Sequence, residues 1–428
     1  MAFGGGSYTL TNKALPGAYI NFVSAARASA ALGERGTAAA LLPLDWGPEG
    51  VVTELAADAF AADSMALFGR DSQAPELRPV REIFRTAQKL LFYRPAGGEK
   101  AENTLAQARC GGAGGNRLSV AVAQEGEAFR VATLLDGASV DVQEAASMAD
   151  LQDNPYVVWK REASLAATAG EPLAGGADKT PEAADYSAFL QAVEPYAFQA
   201  LACASTDSEV NRLFCDFTRR MREDCGVKFQ TVLYRTAADY EGIISVENSA
   251  AEDAPALVYW AAGAAAGCPV NGSNSNRVYD GEYTVQAGLS QSELEAGLKE
   301  GKFLFHQVGA QIRVLSDINT LVSFTAEKSE DFAMNQTVRV LDQIANDVAS
   351  LFCTRYLGVI PNDAAGRLSL WNDIVKHHQE LERARAIESF SPQGVQVQAG
   401  PTKRSVVVTD QITPVCAMEQ LYMTVTVA

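Results

Sequence analysis

Leu421-Tyr422-Met423-Thr424-Val425-Thr426-Val427 is the stretch from which the architecture is read. It alternates without a break. Leu421, Met423, Val425 and Val427 fall on one side, and Tyr422, Thr424 and Thr426 on the other. Just before it, Ser405-Val406-Val407-Val408-Thr409 is a second β-rich run, with Asp410 to Pro414 as connector. A strand this apolar needs a sheet to join. It is either the last strand of its own domain or a strand added to the sheet of a neighbouring copy. The opposite end poses the same choice. Gly4-Gly5-Gly6 is flexible, Tyr8-Thr9-Leu10-Thr11 is strand-like, and Pro16-Gly17 turns the chain into Tyr19-Ile20-Asn21-Phe22-Val23. Such an arm is tied to its own domain or lent to another. The candidate exchange residues are Tyr8, Leu10, Tyr19, Ile20 and Phe22 at one end. At the other they are Val406, Val408, Leu421, Met423, Val425 and Val427.

Between the ends the pattern changes character several times. Ala25 to Tyr93 reads as a small α/β unit: a buried strand in Gly36 to Leu44, then helices in Glu54 to Ala62 and Val80 to Lys89. Pro95 to Gly176 reads as a β-sandwich. Its strands are Leu118–Val122, Phe129–Thr133, Val140–Val142 and Tyr156–Trp159, with turns at Asp136-Gly137 and Asp153-Asn154-Pro155. Thr180 to Leu315 alternates helix and strand, the mark of a mostly parallel sheet covered by helices. Thr180 is its expected N-cap, with Pro181 at the first helical position. Asp207 to Cys225 is an amphipathic helix stopped by Gly226. Strands are expected in Phe198–Cys203, Val227–Tyr234, Gly242–Val246, Phe303–His306 and Ile312–Leu315. Thr325 to Phe390 is helical, its second helix running from Leu368 to Ile387. The fold class is therefore multidomain α/β.

A length of 428 residues implies two to four domains. The net charge of −17 opposes a nucleic-acid binder, which needs a basic face, and opposes docking on an anionic membrane. Seven cysteines are spread singly with no CxxC pair, the usage of reduced thiols in a cytoplasmic product. MAFGGGSYTL lacks the basic and apolar segments of a secretion signal, so none is expected. The longest apolar stretch, Ala256 to Val270, is short of the ~20 residues that span a bilayer and reads as a buried helix.

The chemistry-bearing residues assemble no reaction centre. There are three histidines. His306 sits among apolar neighbours as a core histidine. His377 and His378 are adjacent on a helix and point about 100° apart, so they cannot face one metal together. Gly297 to Phe303 departs from a phosphate loop in spacing and places Phe303 where magnesium needs a hydroxyl. Gly111 to Asn116 precedes a strand and no helix, so it aims no helix dipole at a phosphate. There is no GxSxG elbow. No metal, cofactor or catalytic residue is assigned.

Several runs together resemble contractile tail sheath proteins. They are Arg35-Gly36, Leu44-Asp45-Trp46-Gly47-Pro48, Gly115-Asn116-Arg117-Leu118-Ser119-Val120, Tyr240-Glu241-Gly242, Leu357-Gly358-Val359-Ile360-Pro361-Asn362 and Ala417 to Met423. The type most similar is that of phages, defective prophages and phage-tail-like bacteriocins of Gram-positive bacteria. The resemblance implies an N-terminal arm (1–22), an N-terminal α/β region (23–93), an inserted β-sandwich (94–178) and a non-catalytic domain of subtilisin-like topology (179–315). A C-terminal assembly domain (316–404) and terminal strands (405–428) follow. It also implies terminal arms that add strands to adjacent subunits. The expected partners are further copies of the chain in stacked rings, an inner tail tube protein, and baseplate and tail terminator proteins. Particles would assemble in the bacterial cytoplasm. Contraction would turn rigid bodies about hinges in the Gly17 region and in Gly394 to Lys403. Arg367, Lys376, Arg383 and Arg385 balance the acids of the Leu368–Ile387 helix, which is the candidate tube-facing element or a plain solvated face. The competing readings are a cytoplasmic α/β hydrolase with an unrecognised site and a non-contractile self-assembling shell.

Overall fold

A computed structural model describes residues 32–427, and the arm residues Tyr8, Leu10, Tyr19, Ile20 and Phe22 lie outside them. The chain forms two compact units. The larger contains residues 34–346, 384–388 and 413–427; the smaller contains 347–383 and 389–412.

The larger unit is built on a seven-stranded sheet. Its spatial order is Lys302–Phe303, Ile243–Val246, Gln230–Tyr234, Ala200–Cys203, Thr37–Leu41, Lys89–Tyr93 and Val52–Ala56. Successive pairs are parallel except the last, which is antiparallel. The N-terminal α/β region and the 179–315 region thus share one sheet. Parallel strands are covered on both faces, so their sequences are largely apolar runs with little alternation, as in residues 38–41 and 90–93. Ala38 and Ala40 join the core beneath the helices Phe60–Phe68, Arg78–Phe84 and Leu257–Gly267. Ala39 and Leu41 join the opposite core, with Phe189 and Phe214 of the helices Ala183–Val193 and Ser208–Arg219. The alanine-rich helix is buried along nearly its whole length, as its composition requires. Gly263 lets it approach the Arg78–Phe84 helix, since a Cβ there would stand 2.3 Å from Ile83 O.

The β-sandwich is inserted after Lys89–Tyr93. Four antiparallel strands, in the order Ala138–Ala145, Ala128–Leu135, Leu118–Glu125 and Thr168–Pro172, face the pair Ala106–Ala108 and Val157–Trp159 across a core of Leu118, Val120, Val131 and Trp159. The buried Arg94 guanidinium fastens the entry. It donates to Leu44 O at 2.6 Å, to Gly47 O at 3.1 Å and to Gly111 O.

Several local expectations are corrected. Val52–Ala56 is a strand, with a helix only from Phe60 to Phe68, because Leu55 is needed against the sheet core. The helix expected to reach Lys89 ends at Phe84, and Lys89–Tyr93 becomes an interior strand, next to the edge. Glu182 caps the helix Ala183–Val193, with Asp185 completing a capping box, so Thr180 and Pro181 precede the helix. Gly112 to Arg117 includes a 3₁₀ turn before its strand. The helical stretch expected from Thr325 begins at Asn335. His306 is half-buried, opposite Arg313 in a hairpin, and is no core residue.

The smaller unit contains the C-terminal end of the helix Asn335–Leu351, a π-helical turn Phe352–Tyr356 and the helix Ala364–Arg383. A hairpin of Gln396–Ala399 and Val406–Thr409 completes it. Val395 packs with Leu351, Tyr356, Leu370, Ile374 and Val375. The loop expected at Gly394 to Lys403 is corrected in part, because four of its residues form a paired strand. No described helix is long and apolar enough to cross a membrane.

Candidate functional site

The terminal run has no ladder to join among the described residues of its own chain. Leu421 is 86% exposed, Met423 74%, Val425 72% and Val427 91%. Water-exposed apolar side chains in such a row are costly unless another molecule covers them. The run begins where the chain leaves a fastened segment. Val415 N–H donates to Ala386 O at 2.9 Å, and Ala417 N–H to Gln336 Oε1 at 2.9 Å.

The hairpin Gln396–Ala399/Val406–Thr409 is a two-stranded sheet with Val397 opposite Val408 and Ala399 opposite Val406. Those four share one face. Val397 and Val406 lie against the apolar cluster of the smaller unit, while Val408 on the same face stays 39% exposed. Both outer edges are unpaired among the described residues, and an edge is a template for a further strand.

The four cations proposed for the C-terminal helix divide. Arg367 is half-buried and donates to Asn362 O and Oδ1. Lys376 is nine positions on, about 180° around the helix at ~100° per residue. Arg385 lies beyond the helix, which ends at Arg383, and takes φ +61°. Lys376 and Arg383 do share a face. It runs through Ala365, Leu368, Asn372, Lys376, Gln379 and Arg383, all exposed and none acidic, although Glu380 beside it pairs with Arg383.

The histidine pair is the feature that sequence reasoning missed. Both rings are buried, with their Nδ1 atoms 3.2 Å apart. His377 Nε2 is 2.9 Å from Asp347 Oδ2, and His378 Nε2 is 2.6 Å from Asp410 Oδ2. One proton fits between two ring nitrogens, so this chain of bonds ties helix to hairpin end without a metal. Helical periodicity carries no signal for it, because the partners are remote in sequence.

No histidine lines the groove of about 550 Å³ at the carboxyl ends of Ala200–Cys203 and Gln230–Tyr234, where parallel sheets usually bind ligands. Asn211 closes its floor by donating to Ser205 O and Tyr234 O. Among the described residues no cluster of His, Cys, Asp or Glu could hold a metal. The thiols are equally quiet. Burial pushes Cys215 up to about 11 and also raises Cys203 and Cys268, whereas Cys225, Cys353 and Cys416 are exposed. Alkylation of the folded chain at mildly alkaline pH is expected to mark those three and to spare Cys203, Cys215 and Cys268 until denaturation. Mass mapping that finds Cys203 modified in the folded chain contradicts this. The unfolded chain sheds the Cys215 proton near 9.0 and the folded one near 11, so stability falls as pH rises through that window.

The chain matches four family descriptions in order. Residues 35–94 match the tail sheath protein Gp18 domain III N-terminal region, and 96–178 the phage tail sheath protein beta-sandwich domain. Residues 179–320 match the phage tail sheath protein central domain, and 327–428 the phage tail sheath C-terminal domain. The phage-like element PBSX protein XkdK of Bacillus subtilis (strain 168) is 30% identical over 99% of both chains. The crystal structure of the sheath tail protein from Desulfitobacterium hafniense superposes with a TM-score of 0.84 at 35% identity, covering 95% of this chain and 99% of that one. The fold extends to the helical sheath of the anti-feeding prophage in its contracted state, with a TM-score of 0.58 at 12% identity over 97% of this chain and 99% of that one. With its parts matched in sequence order and a relative aligned end to end, the chain belongs to the phage tail sheath protein family.

Proposed function

We propose that this sheath subunit polymerises by lending strands, and that the polymer surrounds an inner tube and contracts. The observation that carries the reading is the exposed, unladdered run Leu421 to Val427 in a chain that also offers an open two-stranded sheet. The apolar side of the donated run covers Val408 and its neighbours in an adjacent copy; the N-terminal arm, with Tyr8, Leu10, Tyr19, Ile20 and Phe22, adds a second strand. The larger unit serves as a rigid, non-catalytic body of subtilisin-like topology, a role supported by its doubly covered parallel sheet and by a groove without histidine. Assembly takes place in the bacterial cytoplasm, on a baseplate and under a terminator, and the product is the outer layer of a tail or tail-like particle. Contraction turns these bodies while the connecting strands stay paired.

The tube-facing surface is the acid-free stripe of the Ala364–Arg383 helix. In a chain of net charge −17 such a face suits an acidic partner. Lys376→Glu with Arg383→Glu is expected to weaken co-sedimentation with tubes by about tenfold or more while self-assembly persists. Retained tube binding removes the stripe from the interface. Negative-stain microscopy of the purified chain with its tube tests the whole reading. Striated cylinders support it; monodisperse particles or flat lattices overturn it.

A further inference from the structure

The strand-addition reading leaves open what aims the donated run, and a row of contacts at its root bears on that. Between Thr413 and Glu419 the chain is held at every second residue. Glu388 N–H donates to Thr413 O at 2.9 Å, and Val415 N–H to Ala386 O at 2.9 Å. Ala417 N–H reaches Gln336 Oε1 at 2.9 Å. Glu419 then closes the row with its side chain. Ser316 Oγ donates to its Oε2 at 2.9 Å and Ser275 Oγ to its Oε1.

The groups that receive the segment are themselves fixed. Gln336 is buried, and its Nε2 donates to Asn271 O at 3.0 Å. Ser275 Oγ accepts from Asp317 N–H at 2.8 Å. The Asp317 carboxylate is 2% exposed and takes bonds from Asn335 Nδ2 at 2.9 Å, Asn274 N–H at 2.9 Å and Arg339 Nη2 at 3.2 Å. The root of the arm is thus connected to a buried polar network of the larger unit.

The two kinds of contact restrain different motions. Backbone bonds at 413, 415 and 417 set which edge of the segment faces the body. The side chain of Glu419 sets its roll about the long axis. Once the run pairs as a strand its side chains alternate, which puts Glu419 on the same side as Leu421, Met423, Val425 and Val427. Rolling a strand over presents its polar side to the core that should receive its apolar one. We propose that Glu419, seated on Ser275 and Ser316, is a positioning residue that decides which side of the donated run faces the accepting copy. The reading rests on strand addition between copies and names the residue that orients it.

The test uses the full-length chain with the partly exposed Cys110 and the exposed Cys225, Cys353 and Cys416 replaced by serine, assembled into sheaths. Met423→Cys or Thr424→Cys then serves as a single probe of alkylation. With Glu419 intact, the cysteine at 423 is expected to react about tenfold more slowly than that at 424, because one side of the run is buried. Glu419→Ala is expected to bring the two rates within about twofold of each other, and Glu419→Gln, which keeps an acceptor oxygen, to restore part of the difference. The monomer's melting temperature should hold throughout, since Glu419 is exposed. A tenfold ratio that survives Glu419→Ala overturns the assignment while leaving strand addition standing. Equal rates at 423 and 424 with Glu419 intact overturn both.

Discussion

Removing Leu421 to Ala428 is expected to abolish tail-length polymers and to leave the melting temperature of the monomer unchanged. The monomer loses nothing because the run makes no ladder with the described residues and its apolar side chains already face water. The polymer loses its links. A donated strand supplies about five backbone hydrogen bonds at ~1 kcal/mol each. Burial of four apolar side chains adds ~1.5–3 kcal/mol apiece at most. Ordering the run costs ~1–2 kcal/mol per residue in backbone entropy. One link therefore nets only a few kcal/mol, while a subunit held by several is firmly attached. That balance suits a subunit that does not polymerise unprompted yet propagates from a template. Cylinders of full length from the truncated chain, seen by negative stain, refute the linkage.

The second large effect is expected in the body. Arg222 donates to Asp342 at 2.6 and 2.9 Å and to Phe229 O at 2.6 Å, with the side chains of the ion pair 5% and 9% exposed. Asp342→Ala leaves a buried guanidinium without its counter-charge, a loss of about 3–5 kcal/mol. The urea midpoint should fall accordingly. Replacing both partners, as Arg222→Met with Asp342→Leu, should recover most of the loss, because the stranded charge and not the missing bond dominates the penalty. A single variant within ~1 kcal/mol of the parent would show that water reaches Arg222. Asp342 lies on the helix that also carries Asn335 and Gln336, so this pair helps hold the ground on which the arm is rooted.

What could be read in advance follows from where the determinants lie. The central strands and the Leu257–Gly267 helix are covered on all sides, so their apolar runs are unmistakable. The sandwich strands announce themselves by alternation and turns. Val52–Ala56 was open to a helical reading because its short mixed sequence owes its state to pairing with Lys89–Tyr93. Gln396–Ala399 carries no strand signal of its own, because two glutamines mask a strand that only its hairpin partner defines. The terminal run was legible as a strand in need of a sheet. The seat of Glu419 was not, since Ser275 and Ser316 are far away in sequence. Charge alone groups Arg367 with Lys376, and the helical turn separates them.

A subunit that carries an uncovered strand risks plugging it into the wrong place. The main sheet ends on one flank in the two-residue strand Lys302–Phe303, which offers an intruder almost no rungs. On the other flank stands Val52–Ala56, guarded by the Glu54–Lys89 ion pair at 3.1 Å. Short or charged borders of this kind repel stray partners. If tails are lent to the hairpin as proposed, these borders keep the body from competing for them, and a concentrated pool of free subunits is expected to stay clear of fibrous by-products.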